Sequence, residues 1–218
     1  ALPIYVENEY LSISNNLVLN EIESNPNISA IVPVHFAGYA QDLGRMREKT
    51  AGKNIKIVED AAHAFGAKYP SGEMVGSCKN SDLTVFSFHP VKTITSGEGG
   101  AITTNNEEIY NRLIALRNHG IDQTHNNKLL SRTRDITNIW YSEMNLLGFH
   151  YRMTEIQAVL GISQLKRVDS FLSKRRSLSE FYYKSFLDKQ NIDFFTKFNY
   201  IKKDRKSTRL NSSHANIS

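Results

Sequence analysis

The segment FSFHPVKTITSGEGG, residues 86–100, decides the fold of this chain. Its first residues belong to a short run of β-branched and aromatic residues, residues 83–88, which is typical of a strand. A Gly-rich stretch then leads into a second strand-like run, residues 101–104. In open α/β sheets the chemistry gathers at the carboxyl ends of strands, so Lys92 becomes the first candidate for a functional residue.

A second motif, IKIVEDAAHA at residues 55–64, ends another apolar run on a carboxylate, Asp60. A lysine and an aspartate, each just past a strand, are the pair that a pyridoxal phosphate enzyme needs. The lysine amine forms a Schiff base with the cofactor aldehyde, and the aspartate holds the proton on the pyridine nitrogen. The two motifs together predict such a site.

The remaining pattern indicates an α/β layer architecture. Further strand-like runs lie at residues 30–34 and 55–58, and a short helix capped by Asp42 is predicted for residues 42–49. Residues 107–119 predict a second helix with Gly120 as its C-cap, and residues 121–145 predict a long polar loop. From Thr154, which can cap its start, an apolar stripe predicts one long helix to about Phe186.

Composition narrows the class of protein. The chain has 218 residues, 40% hydrophobic and 22% charged, which is ordinary for a soluble globular protein. Residues 202–209 contain five basic residues and one acid, and therefore account for most of the net charge of +5. Because the rest of the chain is close to neutral, no nucleic-acid-binding face is predicted. No apolar run approaches the roughly 20 residues that span a bilayer. The single cysteine fits a cytoplasmic location, and no metal site is expected.

Six blocks occur in the order and spacing of one family: residues 33–38, 59–64, 87–92, 97–101, 116–120 and 148–158. Over roughly residues 28 to 190 the chain resembles the nucleotide-sugar aminotransferases of the DegT/StrS group, which use pyridoxal phosphate. Within that group, the block around Lys92 and residues 164–169 look most like the bacterial UDP-sugar aminotransferases of pseudaminic acid synthesis.

The resemblance implies a fold: the three-layer α/β large domain of fold type I, which is aspartate aminotransferase-like. Residues 1–153 would be an incomplete cofactor-binding large domain. Residues 154–203 would be a long interdomain helix and the start of a small C-terminal domain. Residues 204–218 are expected to be a disordered, non-native tail. The chain therefore resembles the middle of a longer enzyme.

The resemblance also assigns roles to single residues. Lys92 matches the Schiff-base lysine, although a solvated surface lysine is the commoner fate of this residue type. Asp60 matches the partner of the pyridinium nitrogen, and it could also be the N-cap of a helix beginning at Ala61. His63 matches a position beside the cofactor ring, or it is a structural histidine. Ser87 matches the hydroxyl that binds the cofactor phosphate.

His150 stands where the family usually has Asn in an Asn-Tyr-Arg segment. That segment reaches across the interface of a homodimer to the neighbour's cofactor phosphate, and a histidine can still donate a hydrogen bond there. An ordinary helix-entry segment is the alternative. His89 lies in the same loop as Lys92 and receives no role. Homodimerisation with shared active sites is expected from the resemblance.

The resemblance implies an activity as well. An amino group would move from an amino acid, glutamate in the first instance, to a nucleotide-linked keto-sugar for bacterial surface polysaccharide or glycan synthesis. One alternative is a pyridoxal phosphate-dependent sugar dehydratase, a branch that has histidine in place of the lysine. The other is a catalytically inactive fragment.

Overall fold

Two sheets organise the computed structural model, which describes residues 6–7, 11–121, 142 and 144–186. Strands β1 (Val6–Glu7) and β2 (Ser12–Ile13) form an antiparallel pair. The larger sheet contains β3 (Ala30–Ile31), β4 (Lys56–Asp60), β5 (Leu83–Ser87) and β6 (Gly100–Thr103), which lie side by side in that order. β3, β4 and β5 are parallel, and β6 runs antiparallel to β5. The four strand-like runs of the sequence are therefore confirmed as one mixed sheet.

The helices divide into an early pair and a later group. Helices α1 (Asn15–Ser24) and α2 (Gly44–Thr50) pack against each other and flank β3 in the chain. Their inward side chains join the sheet in one buried apolar cluster: Val18, Leu19, Ile22, Ile31, Leu43, Met46, Ile55 and Ile57. The later helices are α3 (Glu107–Arg117), α4 (Glu155–Leu165) and α5 (Val168–Phe186). Each is too short or too polar to span a bilayer, as is every helix among the described residues.

The connection between β4 and β5 contains no helix. Residues 61–82 turn repeatedly and build a second buried cluster against the sheet, which consists of Ala40, Ala61, Ala64, Ala67, Val75 and Phe86. Small side chains at these positions let the irregular backbone lie close to the sheet. This packing holds the chain immediately after Asp60 in a fixed path.

Two helix ends differ from the sequence prediction. Asp42 is not the N-cap of α2, because the helix begins one residue later and its cap is Leu43. The Asp42 carboxylate instead accepts the Gly44 N–H at 2.9 Å and closes a short turn. α3 is capped by Asn106 and ends at Arg117; His119 takes the left-handed position (φ +59°), and the Gly120 N–H bonds the Ala115 carbonyl.

The long helix predicted from Thr154 is divided. Thr154 caps α4 as predicted, with a reciprocal bond to Gln157, but α4 ends at Leu165 and α5 begins at Val168. At the junction the Arg167 N–H reaches the Gln164 carbonyl, which is a tighter turn than an α-helix makes. The expected small domain beyond residue 186, the tail at residues 204–218 and most of the loop at 121–145 lie outside the described residues.

Candidate active site

Asp60 is the last residue of β4 and is held from both sides of its backbone. Its N–H donates to the Pro33 carbonyl, and its carbonyl accepts the His35 N–H, each at 2.9 Å. The half-buried carboxylate accepts the Ala62 N–H through Oδ1 at 3.0 Å. Turns and not a helix follow at residues 61–67, so the alternative of a helix N-cap is wrong. The bond to Ala62 fixes the carboxylate, and no donor in the described part of the chain reaches Oδ2.

Ser87 ends the neighbouring parallel strand on the same face of the sheet as Asp60. Asp60 pairs with Val85, and Ser87 lies two residues farther along β5. With a strand spacing of about 4.8 Å and a rise of about 3.3 Å per residue, the two Cα atoms lie about 8 Å apart. The Ser87 hydroxyl accepts the His89 N–H at 3.4 Å, and the side chain is half-buried. The structure therefore brings two predicted site residues to one edge of the sheet.

Lys92 lies in the connection from β5 to β6, whose residues 88–99 we call the lysine loop. The loop is closed at its base by a bond from the Phe88 N–H to the Gly99 carbonyl at 2.8 Å. The Phe88 carbonyl accepts both the Thr95 hydroxyl and the Ser96 N–H, each at 3.0 Å. Lys92 is half-buried, and among the described residues no side chain pairs with its amine. The loop is rigidly closed while its lysine amine is left available.

Glycines make this closed loop possible. Gly99 has φ +151°, and a Cβ there would lie 2.6 Å from Ser96 Oγ and 2.8 Å from Met153 Cε. At Gly100 a Cβ would lie 2.6 Å from the Phe86 carbonyl oxygen. All three distances are shorter than van der Waals contact allows. The absence of a side chain at Gly99 and Gly100 therefore allows other parts of the chain to approach their backbone closely.

Two histidines flank the lysine and the aspartate. His63 lies in the turn after Asp60, half-buried, with its ring edge-on to Phe36 at 5.9 Å between centroids. His89 is exposed in the lysine loop, where Nδ1 accepts the Val91 N–H at 3.4 Å and Nε2 lies 3.9 Å from a Glu98 carboxylate oxygen. His63 thus lies three residues after Asp60, while His89 accepts a bond within the turn that carries Lys92.

His150 makes its described contacts with residues other than these. It is exposed, it forms an isolated antiparallel bridge with Asn118, and its ring lies 5.4 Å from that of His119. It makes no hydrogen bond or ring contact with Asp60, Ser87 or Lys92. Its role at a cofactor phosphate across a dimer interface remains a prediction.

The sequence reasoning missed a buried carboxylate next to Asp60. Glu59 is 1% exposed and accepts hydrogen bonds from four side chains: His35 Nε2 at 2.6 Å, Thr84 at 2.8 Å, Tyr69 and Ser81. His35 Nδ1 accepts the Gln41 N–H at 3.2 Å, so its Nε2 carries the proton that is donated to Glu59. An acidic residue directly after the apolar run of residues 55–58, on the buried side of the alternating pattern of that strand, was the signal that could have revealed it.

The network sets the protonation of its members. Burial of Glu59 tends to raise its pKa, but hydrogen bonds from His35, Ser81 and Tyr69 outweigh burial, and the net shift of the pKa is downward. Burial and the adjacent Glu59 carboxylate raise the pKa of Tyr69. Glu59 is therefore a charged, fully bonded group that anchors β4 from the face opposite Asp60.

Solved structures share this fold. PseC of Helicobacter pylori, an aminotransferase of pseudaminic acid biosynthesis, superposes with a TM-score of 0.73 at 28% identity, over 87% of this chain and 46% of PseC. The pyridoxal phosphate form of a sugar aminotransferase from Streptococcus pneumoniae gives 0.69 at 26% identity, over 86% and 48%. The described residues thus belong to the fold-type-I class of pyridoxal phosphate-dependent transferases.

The chain is a member of the DegT/DnrJ/EryC1/StrS aminotransferase family, whose sequence profile matches residues 1–212. A UDP-4-amino-4,6-dideoxy-N-acetyl-beta-L-altrosamine transaminase of Campylobacter jejuni is 38% identical over 185 residues, which are 82% of this chain and 45% of the relative. A GDP-perosamine synthase of Escherichia coli O157:H7 is 33% identical, over 85% and 46%. The chain spans about half the length of these curated relatives.

Proposed function

We propose that the protein to which this chain belongs is a pyridoxal phosphate-dependent aminotransferase. It would move an amino group from an amino acid, glutamate in the first instance, to a nucleotide-linked keto-sugar for bacterial surface polysaccharide or glycan synthesis. The observation that carries the proposal is the available Lys92 amine in a closed loop beside the strand that ends at Asp60. A cytoplasmic location goes with the proposal, because nucleotide sugars and amino-acid donors are made there.

The residues present fit the cofactor chemically. Lys92 is half-buried, and no acceptor among the described residues pairs with its amine, which suits an amine that is to react with an aldehyde. Asp60 keeps one carboxylate oxygen open for the protonated pyridine nitrogen. Ser87 and the N–H of His89 would hold the phosphate, and His63 would lie beside the ring. When bound, pyridoxal phosphate supplies the electron-accepting ring on which amino transfer depends.

Each residue would then do a distinct task. Lys92 would hold the cofactor covalently through its amine, and the same amine would serve as the general acid and base at the substrate carbon. Asp60 would accept a hydrogen bond from the protonated pyridine nitrogen, and the charge of that ring would offset partial burial of the carboxylate. The fixed bond from Ala62 keeps the Asp60 carboxylate oriented for this task.

A half-reaction assay tests the proposal without the sugar. The full-length protein is loaded with pyridoxal phosphate and given excess glutamate, and 2-oxoglutarate is measured. We expect about one equivalent of 2-oxoglutarate per site from the wild type and none from Lys92→Ala. No 2-oxoglutarate from full-length protein that has bound the cofactor would contradict an aminotransferase with glutamate as donor.

The sugar is proposed to be UDP-linked. The support is the Campylobacter relative, whose name specifies a UDP-linked amino-sugar, and the likeness to PseC. The full-length protein should aminate a UDP-linked 4-keto-hexose in preference to GDP- or dTDP-linked ones. A preference for the GDP-linked sugar would place the protein with the perosamine synthases instead.

A sugar dehydratase is the second candidate. The Escherichia coli GDP-4-keto-6-deoxy-D-mannose-3-dehydratase superposes with a TM-score of 0.71 at 26% identity, over 85% of this chain and 47% of that enzyme. Lys92 favours the aminotransferase, because the dehydratase branch has histidine in place of this lysine. Mass spectrometry of the sugar product separates the two: a keto oxygen replaced by an amine supports transfer, and a deoxy-sugar supports dehydration.

A homodimer is part of the proposal. The segment entering α4 and the helix itself expose large apolar side chains: Leu147, Phe149, Tyr151, Ile156, Val159 and Ile162. Large apolar side chains exposed close together in the chain are typical of a subunit interface. Sedimentation equilibrium should show that Ile156→Glu weakens self-association, while Ser163→Glu, which adds the same charge to an exposed polar position of α4, weakens it less. Equal association of both variants and wild type would contradict this surface.

A further inference from the structure

We propose that Arg175 is a positioning residue that holds Lys92 in place from outside the loop. Arg175 lies on α5, 83 residues from Lys92 in the chain, and its Nη2 lies 3.4 Å from the Lys92 carbonyl oxygen. Both residues are half-buried. The inference deepens the proposed function, because it concerns the residue on which that function rests.

Arg175 contacts the backbone carbonyl of Lys92 and not its amine. The described polar contacts of Lys92 are two backbone ones: its N–H donates to the His89 carbonyl at 3.0 Å, and its carbonyl faces Arg175. The first lies within the loop and moves with it. The second ties the loop to a separate element. Arg175 therefore restrains the backbone of Lys92 while the amine stays available for chemistry.

Other residues from the same part of the chain approach the lysine loop alongside Arg175. A Cβ at Gly161 of α4 would lie 3.6 Å from the Ser96 side chain, and a Cβ at Gly97 would lie 4.0 Å from Leu160. Met153, just before α4, reaches Gly99. The lysine loop is thus supported by apolar contacts from the α4 region and by one charged contact from α5. The charged contact is the one made at Lys92 itself.

The chemistry of arginine suits this task. A guanidinium stays charged at every physiological pH and donates from a planar fork, so a bond to a carbonyl is charge-assisted. Removing it should increase the fraction of time in which the residues around Lys92 are open, and the cofactor would then meet a competent lysine less often. Lysine at this position keeps the charge on a differently shaped donor, so Arg175→Lys should restore part of the restraint.

Hydrogen exchange of the 218-residue chain without cofactor tests the restraint directly. Arg175→Gln should raise the exchange of amides in residues 88–99 by about tenfold, the change expected from one lost hydrogen bond. Lys174→Gln is the matched control, because it removes the same charge from the adjacent, exposed position of α5. Arg175→Lys should fall between wild type and Arg175→Gln.

A second readout connects the restraint to Lys92. With pyridoxal phosphate present, borohydride trapping at Lys92 should be about tenfold slower in Arg175→Gln and unchanged in Lys174→Gln. Equal exchange of residues 88–99 in the two Gln variants would overturn the proposal, and so would increased exchange spread evenly over the sheet and α1. If the wild type traps no cofactor, the proposed function fails, while the exchange comparison still decides the role of Arg175.

Discussion

Glu59 and Asp60 are neighbouring carboxylates on one strand with opposite surroundings. Glu59 is fully buried and bonded to four donors, two of them 22 and 25 residues away along the chain. Asp60 faces the other side of the sheet, half-buried, with one backbone donor from the adjacent turn. The difference teaches that charge alone does not mark a functional residue. A carboxylate whose acceptor sites are filled by the protein holds the fold, and one with an open oxygen can hold a ligand.

Removing the filled carboxylate should have the largest effect on stability. Glu59→Ala leaves four donors without their acceptor, three of them buried, and we expect a loss of about 3–5 kcal/mol in the free energy of unfolding. Asp60→Ala loses one bond to a turn and should cost about 1 kcal/mol. Urea denaturation of both variants measures the contrast. Comparable losses in the two variants would show that the two carboxylates do not differ in this way.

The next largest expected effect is the loss of stability when Gly99 of the lysine loop is replaced. Gly99→Ala places a Cβ 2.6 Å from Ser96 Oγ at φ +151°, and strain plus overpacking should cost about 2–4 kcal/mol. Gly72→Ala is the matched control, since Gly72 also has positive φ (+97°) but has no atom within 4 Å of a Cβ. It should cost about 1 kcal/mol from strain alone. If thermal unfolding shows equal losses, close approach at Gly99 does not stabilise the lysine loop.

Much of this arrangement follows from the sequence. The strands and the positions of Asp60, Ser87 and Lys92 at strand ends could be predicted, because short apolar runs and Gly-rich turns are local signals. The partners of Glu59 could not, since His35 and Thr84 lie 24 and 25 residues away and only the folded sheet brings them together. The contact between Arg175 and Lys92 was hidden for the same reason.

The division between α4 and α5 also escaped prediction. Lys166 keeps helical backbone angles, and a tighter turn at Arg167 adjusts the register without glycine or proline. The apolar stripe therefore continues across the junction as if the helix were unbroken. The cap at Asp42 was wrong because an aspartate closes a turn with the residue two positions on as readily as it caps a helix.

For the affinity for the cofactor we expect Asp60 to matter more than Glu59, which is the reverse of their order for stability. Asp60→Ala should weaken the affinity for pyridoxal phosphate by about 10- to 100-fold, the value of one charge-assisted hydrogen bond. A small stability loss together with this affinity loss is the signature of the open carboxylate. Fluorescence titration with pyridoxal phosphate gives the dissociation constant. An unchanged constant would remove Asp60 from the cofactor site.

The smallest effect is in the pH dependence of stability. Because the pKa of Glu59 is lowered in the folded chain, its contribution is complete above the ordinary carboxyl pKa of about 4.3 and is lost as the pH falls through the folded value. Glu59→Gln, which cannot ionise, should lack this loss. Urea midpoints from pH 7 to pH 3 should therefore fall less steeply in the variant. Identical slopes would mean that Glu59 is not held as a charged group.

Trapping of the cofactor at Lys92 tests the central claim most directly. The chain is incubated with pyridoxal phosphate, reduced with borohydride, digested and mapped by mass spectrometry, with Lys68→Ala, a change at an exposed lysine, as the control variant. We predict one adduct, on Lys92, in the wild type and in Lys68→Ala, and none in Lys92→Ala. No adduct on Lys92, or adducts spread over many lysines without preference, would contradict the account.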